Sequence, residues 1–127
     1  MAWRNDHIHF RCSDYEQTLA FFREHFQAKE VSRLEVQGKK MVTLEIGGAR
    51  YSFSPPFAGD VVETKRQPLR YGVYHIAFQT DDIAAEVARM KARGVKFTQD
   101  IQENRPGVKC AFLEGPDGMS IELLQYA

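Results

Sequence analysis

His7 and His75 stand 68 residues apart, each at the head of a stretch that occurs twice, HIHFRCSD over residues 7–14 and HIAFQTDD over 75–82. Four of the eight paired positions are identical: His7 with His75, Ile8 with Ile76, Phe10 with Phe78 and Asp14 with Asp82. Imidazole is the commonest metal-binding side chain and moves protons near neutral pH. A third group of matching chemistry is Glu122. It interrupts the apolar run Ile121-Glu122-Leu123-Leu124, where a carboxylate buried without a partner is costly. Two imidazoles and one carboxylate turned to one surface make a facial triad with open coordination positions. That set suits a divalent ion that also binds substrate oxygens, with Fe, Mn, Zn, Ni or Co all compatible with the donors. Each residue also has a plainer reading, as a structural strand histidine or a glutamate on a solvated face.

The elements around these residues decide whether they meet. Residues 7–12 alternate as a strand, with Ile8, Phe10 and Cys12 on one face and His7, His9 and Arg11 on the other. Ser13 with Glu16 reads as a capping box, and Tyr15, Leu19, Phe22 and Phe26 form one apolar helical stripe. That stripe should cover the Ile8/Phe10 face and leave the histidine face open. Three strands follow, over 29–36, 40–46 and 49–54, divided by turns at Gly38 and Gly47-Gly48 and ended by Pro55-Pro56. The second half repeats the plan. A strand over 74–80 carries His75, Ala77 and Gln79 on the equivalent face. Asp81 or Asp82 caps a helix with the stripe Ile83, Val87, Met90, and Gly94 follows its last turn. A short strand over 95–98, a loop over 102–107 and strands over 108–114 and 119–126 complete it. With Ile121 and Leu123 facing the helix, Ser120, Glu122 and Leu124 turn to the open face.

The chain is therefore expected to be α+β, one domain of two βαβββ modules (1–58 and 71–127) joined by a linker over 59–70. Side by side, two such sheets would form a cupped surface receiving His7, His75 and Glu122. The open face would also carry His9, as proton donor or as a group behind the metal. Arg11, Arg50, Ser52 and Gln79 would bind substrate there. Two arginines suit an anionic substrate group, though each could instead pair with an acidic residue across the sheet.

Seventeen basic and seventeen acidic side chains cancel among 127 residues, which argues against nucleic acid or a membrane surface as partner. No apolar run approaches the ~20 residues of a membrane span, and residues 1–10 lack the apolar core of a signal peptide. A cytoplasmic protein is expected, with Cys12 and Cys110 as buried thiols rather than a disulfide.

The segments DHIHFRCSDYEQTLAFFREHF, YHIAFQTDDI and AFLEGPDGMSIELLQ together resemble the vicinal oxygen chelate superfamily. This group includes glyoxalase I, methylmalonyl-CoA epimerase, extradiol dioxygenases, fosfomycin-resistance enzymes and metal-free bleomycin-binding proteins. The resemblance covers essentially the whole chain. It implies paired βαβββ modules, often completed by a homodimer, and a metal held by His7, His75 and Glu122. Many members carry a further carboxylate on the last strand of the first module. Matched through glycines, LEIGGARYSFS and FLEGPDGMSIELL put Ser52 where Glu122 stands. A serine hydroxyl is a poor metal ligand and no base near neutral pH, so glyoxalase-type proton transfer loses its usual base unless Glu45 substitutes. Glu45 also reads as an exposed charge before a Gly-Gly turn. The expected function is a divalent-metal-dependent enzyme, a glyoxalase-like lyase or isomerase or an extradiol-type dioxygenase, acting on a small, anionic substrate with adjacent oxygens. A fosfomycin-type resistance transferase or hydrolase and a metal-free small-molecule-binding protein are the alternatives.

Overall fold

Asp14 and Asp82, the last identical pair of the repeat, each cap a helix. Asp14 Oδ1 accepts from the Gln17 backbone N–H at 3.1 Å, and Asp82 Oδ1 from that of Ala85 at 3.0 Å. The cap of the first helix is thus Asp14 rather than Ser13, and the residue three places on is Gln17. Both residues are good caps, but only Asp14 has extended backbone immediately before the first helical residue, Tyr15.

The computed structural model describes residues 2–64 and 69–127. Residues 65–68 of the expected linker lie outside the described residues. The chain divides into two compact units, Met1–Thr64 and Lys65–Ala127. Unit 1 runs β1 (Ile8–Arg11), α1 (Tyr15–Phe26), β2 (Lys29–Val36), β3 (Lys39–Ile46) and β4 (Ala49–Ser54). Unit 2 runs β5 (Ile76–Gln79), α2 (Ile83–Ala92), β6 (Phe97–Arg105), β7 (Val108–Glu114) and β8 (Ser120–Tyr126). Each is βαβββ, and the fold is α+β. The sheet orders correspond, β1-β4-β3-β2 and β5-β8-β7-β6. In each, the first strand lies parallel to the last and the other neighbours are antiparallel.

One face of each sheet is sealed by its helix. In unit 1, Leu19 and Phe22 are buried with Val42, Leu44 and Phe53, and the Phe22 and Phe53 rings lie 5.2 Å apart. In unit 2, Ile83, Val87 and Met90 are buried with Ala111, Leu113, Ile121 and Leu123. Phe10 stacks on Phe53 at 5.5 Å, while Ile8 stays half-exposed at the strand's start. Gly94 takes the left-handed conformation (φ 83°) after α2, and its N–H donates to the Lys91 carbonyl.

Two expectations change. β6 runs through the residues expected as a loop, reaching Arg105. As the edge strand of its sheet it is exposed over most of its length, with bulged pairing to β7. It therefore has no apolar alternation for periodicity to detect. The first strands are also shorter than expected, so His7 and His75 each stand one residue before their strand rather than inside it.

Candidate functional site

Glu122 occupies β8, a central strand, with Ala77 beside it on β5 and Phe112 on β7. Its neighbours Ile121 and Leu123 are buried under α2, so strand alternation sends the carboxylate to the other face. Glu122 is nonetheless only 8% exposed. Its Oε1 lies 3.2 Å from His75 Nε2. The His75 ring is held by packing: Tyr74 meets it at 4.5 Å and Phe112 at 5.2 Å, both edge-on. Its Nδ1 is buried with no hydrogen-bond partner among the described residues. Gln79 sits exposed on β5, opposite Leu124 in register.

Unit 1 presents the corresponding row differently. His9 stands beside Ser52, and Ser52 opposite Thr43, where unit 2 has Ala77, Glu122 and Phe112. Register thus makes Ser52 the counterpart of Glu122. Its hydroxyl is buried and bonded to Thr43 Oγ1 at 2.8 Å. Glu45 is exposed, two register pairs away and opposite Arg50.

His7 Nδ1 is 2.6 Å from Asp6 Oδ2. The hydrogen bond from His7, with its charge, holds the Asp6 carboxyl below the usual carboxylate range. An imidazole fixed through Nδ1 by a carboxylate leaves Nε2 for a ligand, an arrangement common behind metal-binding histidines. His9 Nε2 lies 2.7 Å from Ser54 Oγ, and the Phe57 ring meets the imidazole edge-on at 6.1 Å. Burial of that edge lowers the His9 pKa below 6.5, with smaller contributions from His7 and Arg11. Arg11 Nε donates to Asp60 Oδ2 at 3.2 Å, and the same oxygen accepts from the Phe57 N–H at 2.8 Å. Asp60 is lowered first by that backbone bond and then by Arg11. The acidic partner of Arg11 is therefore Asp60, from the segment after β4 rather than from across the sheet.

The structure thus brings together His75 with Glu122 in unit 2, and His9 and Ser52 in one row of unit 1, with Arg11 and His7 at either end of β1. Among the described residues no group of three His, Cys, Asp or Glu gathers closely enough to hold a metal ion. Sequence reasoning missed Asp6, Thr43, Ser54, Asp60, Tyr74 and Phe112. Strand parity with Ser52 was available for Ser54 and Thr43. Asp60, in an aperiodic segment, left no signal.

A family description covers this arrangement. Residues 4–123 match the Glyoxalase/Bleomycin resistance protein/Dioxygenase superfamily. The chain belongs to this superfamily. Among its members, the Bacillus subtilis protein YwbC is 28% identical over 98% of this chain and 99% of its own length. A lactoylglutathione lyase of Arabidopsis thaliana is 26% identical over 94% of this chain, which spans only 43% of that enzyme. Among solved structures, the fosfomycin resistance protein FosX of Listeria monocytogenes matches with a TM-score of 0.76. It is 23% identical over 100% of this chain and 96% of FosX. FosX complexed with Mn(II) and sulfate matches with a TM-score of 0.72. These structural likenesses carry the superfamily fold. Among the described residues no helix is long and apolar enough to cross a membrane.

Proposed function

We propose that this superfamily member is a divalent-metal-dependent enzyme acting on a small, anionic substrate with two adjacent oxygens. Its metal ligands are His7, His75 and Glu122. The observation that carries the reading is the pair in unit 2. A buried carboxylate 3.2 Å from an imidazole nitrogen is a donor pair of the types that hold divalent ions, and Glu122 and His75 would hold the ion here. Nothing else of opposite charge is paired with Glu122 among the described residues, and a buried carboxylate calls for a cation. Asp6 supports His7 by fixing its Nδ1. FosX, whose solved complex holds Mn(II), supports the reading of a metal-dependent member.

When bound, the ion supplies Lewis-acid stabilisation of negative charge on substrate oxygen. The chain's own residues do the rest. His9 supports proton movement or hydrogen bonding beside Ser52, and Arg50 and Gln79 bind polar substrate atoms. Arg11, tied to Asp60, positions the segment after β4. With Ser52 in place of a carboxylate and bonded to Thr43, the chain lacks a carboxylate base at that position. This favours reactions in which the metal activates substrate oxygens over proton shuttling by a first-module carboxylate. We further propose that the protein is a cytoplasmic homodimer.

The test is metal analysis of protein purified without chelators. One divalent ion per chain and a lower melting temperature after EDTA are expected, with His75→Ala losing most of the metal. No stoichiometric metal together with no response to EDTA sinks the proposal.

A further inference from the structure

Ser54 is fully buried. Among the described residues its hydroxyl has one partner, His9 Nε2 at 2.7 Å. The neighbouring hydroxyls do not compete for it, because Thr43 and Ser52 bond to each other. A buried O–H that points at no acceptor is expensive, and a hydroxyl is free to rotate toward whatever acceptor is present. The hydroxyl hydrogen of Ser54 therefore goes to Nε2, which must then offer its lone pair. A neutral imidazole carries its proton on the other nitrogen, so the tautomer follows from this count. The Phe57 ring, edge-on at 6.1 Å, fixes the tilt of the imidazole. Nδ1 has no hydrogen-bond partner among the described residues.

We propose that neutral His9 carries its proton on Nδ1, directed there by Ser54, and that this N–H donates a hydrogen bond to an anionic oxygen of the bound ligand. Ser54 is the positioning residue and His9 the group that touches ligand. His9 shares its row with Ser52, so unit 1 offers an N–H donor next to the position where its counterpart unit carries a carboxylate. A donor there serves negative charge on the ligand; a carboxylate would repel it. This assigns His9 a hydrogen-bonding role in its neutral form rather than that of a base acting through Nε2. The ligand half of the inference rests on the function proposed above, whereas the tautomer does not.

Long-range proton–nitrogen correlation spectra of the full chain, labelled at histidine nitrogen, test the tautomer. They are recorded at about pH 8.5, well above the ordinary imidazole value. The wild-type protein should show His9 protonated on Nδ1, and Ser54→Ala should shift the population toward Nε2–H. A wild-type His9 protonated on Nε2 overturns the proposal, and this spectrum is decisive even if Ser54→Ala does not fold. Oxalate, with two adjacent oxygens and negative charge, then probes the donor in zinc-loaded protein. His9→Ala should weaken oxalate binding about tenfold with zinc content unchanged, and equal affinity overturns the donor role. If the protein takes up no zinc, the metal reading fails instead. The same oxalate comparison in metal-free protein then decides the donor role.

Discussion

Glu122 bears a charge that the fold keeps nearly out of water, with His75 as its close partner. Burying a charge costs stability unless a strong partner repays it. Glu122→Gln keeps the side-chain volume and removes the charge. Without metal, this variant is expected to unfold within about 1 kcal/mol of the wild type, or to be more stable. The two should separate when metal is added. An ion at 100 times its dissociation constant stabilises the folded state by about 2.7 kcal/mol, and the variant should gain far less. Thermal melts with and without added Zn(II) or Mn(II) measure both. A variant that keeps the full metal-induced gain would remove Glu122 from the ligand set. His75 and Glu122 could be picked out from sequence because each breaks an apolar alternation at a position the repeat makes comparable. What could not be read was how each ring is held. Asp6 and Tyr74 hold corresponding places before the two histidines, yet one bonds a ring nitrogen and the other packs on the ring. Phe112, across the sheet, packs against both Tyr74 and His75, whereas its counterpart Thr43 bonds Ser52.

Helices and strands were readable to the extent that their burial is one-sided. α1 and α2 follow their apolar stripes, and their caps account for one of the repeat's identical pairs. Replacing Asp14 or Asp82 with Ala should cost about 1 kcal/mol each, seen as a lower urea midpoint with an unchanged slope. A loss confined to one of the two would show that the repeated aspartates are not equivalent caps. The continuation of β6 beyond the expected short strand escaped because an edge strand exposed over that length carries no alternation to detect. The segment after β4 escaped because its order comes from one carboxylate. Asp60 gathers the neighbouring Phe57 N–H and Arg11, the latter on a strand 49 residues earlier. The folded state lowers the Asp60 pKa below 3.8. Its stabilisation is therefore fully present above the unfolded value, near pH 4, and is lost as pH falls through the lower folded value. The stability difference between wild type and Asp60→Asn should be constant from about pH 5 to 7 and should shrink as the pH falls below the ordinary aspartate value. A difference independent of pH in that acid range would mean the carboxylate charge is not what orders the segment.

At the scale of the whole molecule, each unit leaves large apolar side chains exposed. Trp3, Val61, Leu69, Tyr71 and Val73 are each more than four-fifths exposed, in the lengths of chain before β1 and between β4 and β5. Single exposed apolar side chains are ordinary, but concentrations of large ones mark interaction sites. From sequence, Val61 and Leu69 fall in the expected linker and Trp3, Tyr71 and Val73 in aperiodic stretches of the modules, and their exposure in the structure sets them apart. Burying a large apolar side chain contributes about 1.5–3 kcal/mol. Five from each of two copies would offer about 15–30 kcal/mol, against an association cost of about 4–15 kcal/mol or more. If the proposed homodimer covers part of these side chains, the balance favours association at micromolar concentration. Sedimentation velocity should therefore find a dimer, and Trp3→Ser combined with Tyr71→Ser should shift it toward monomer. The monomeric variant should keep the folded circular-dichroism spectrum, because neither side chain belongs to a unit's core. A wild-type protein that sediments only as monomer at micromolar concentration would require those side chains to be covered in some other way, and the homodimer would fall.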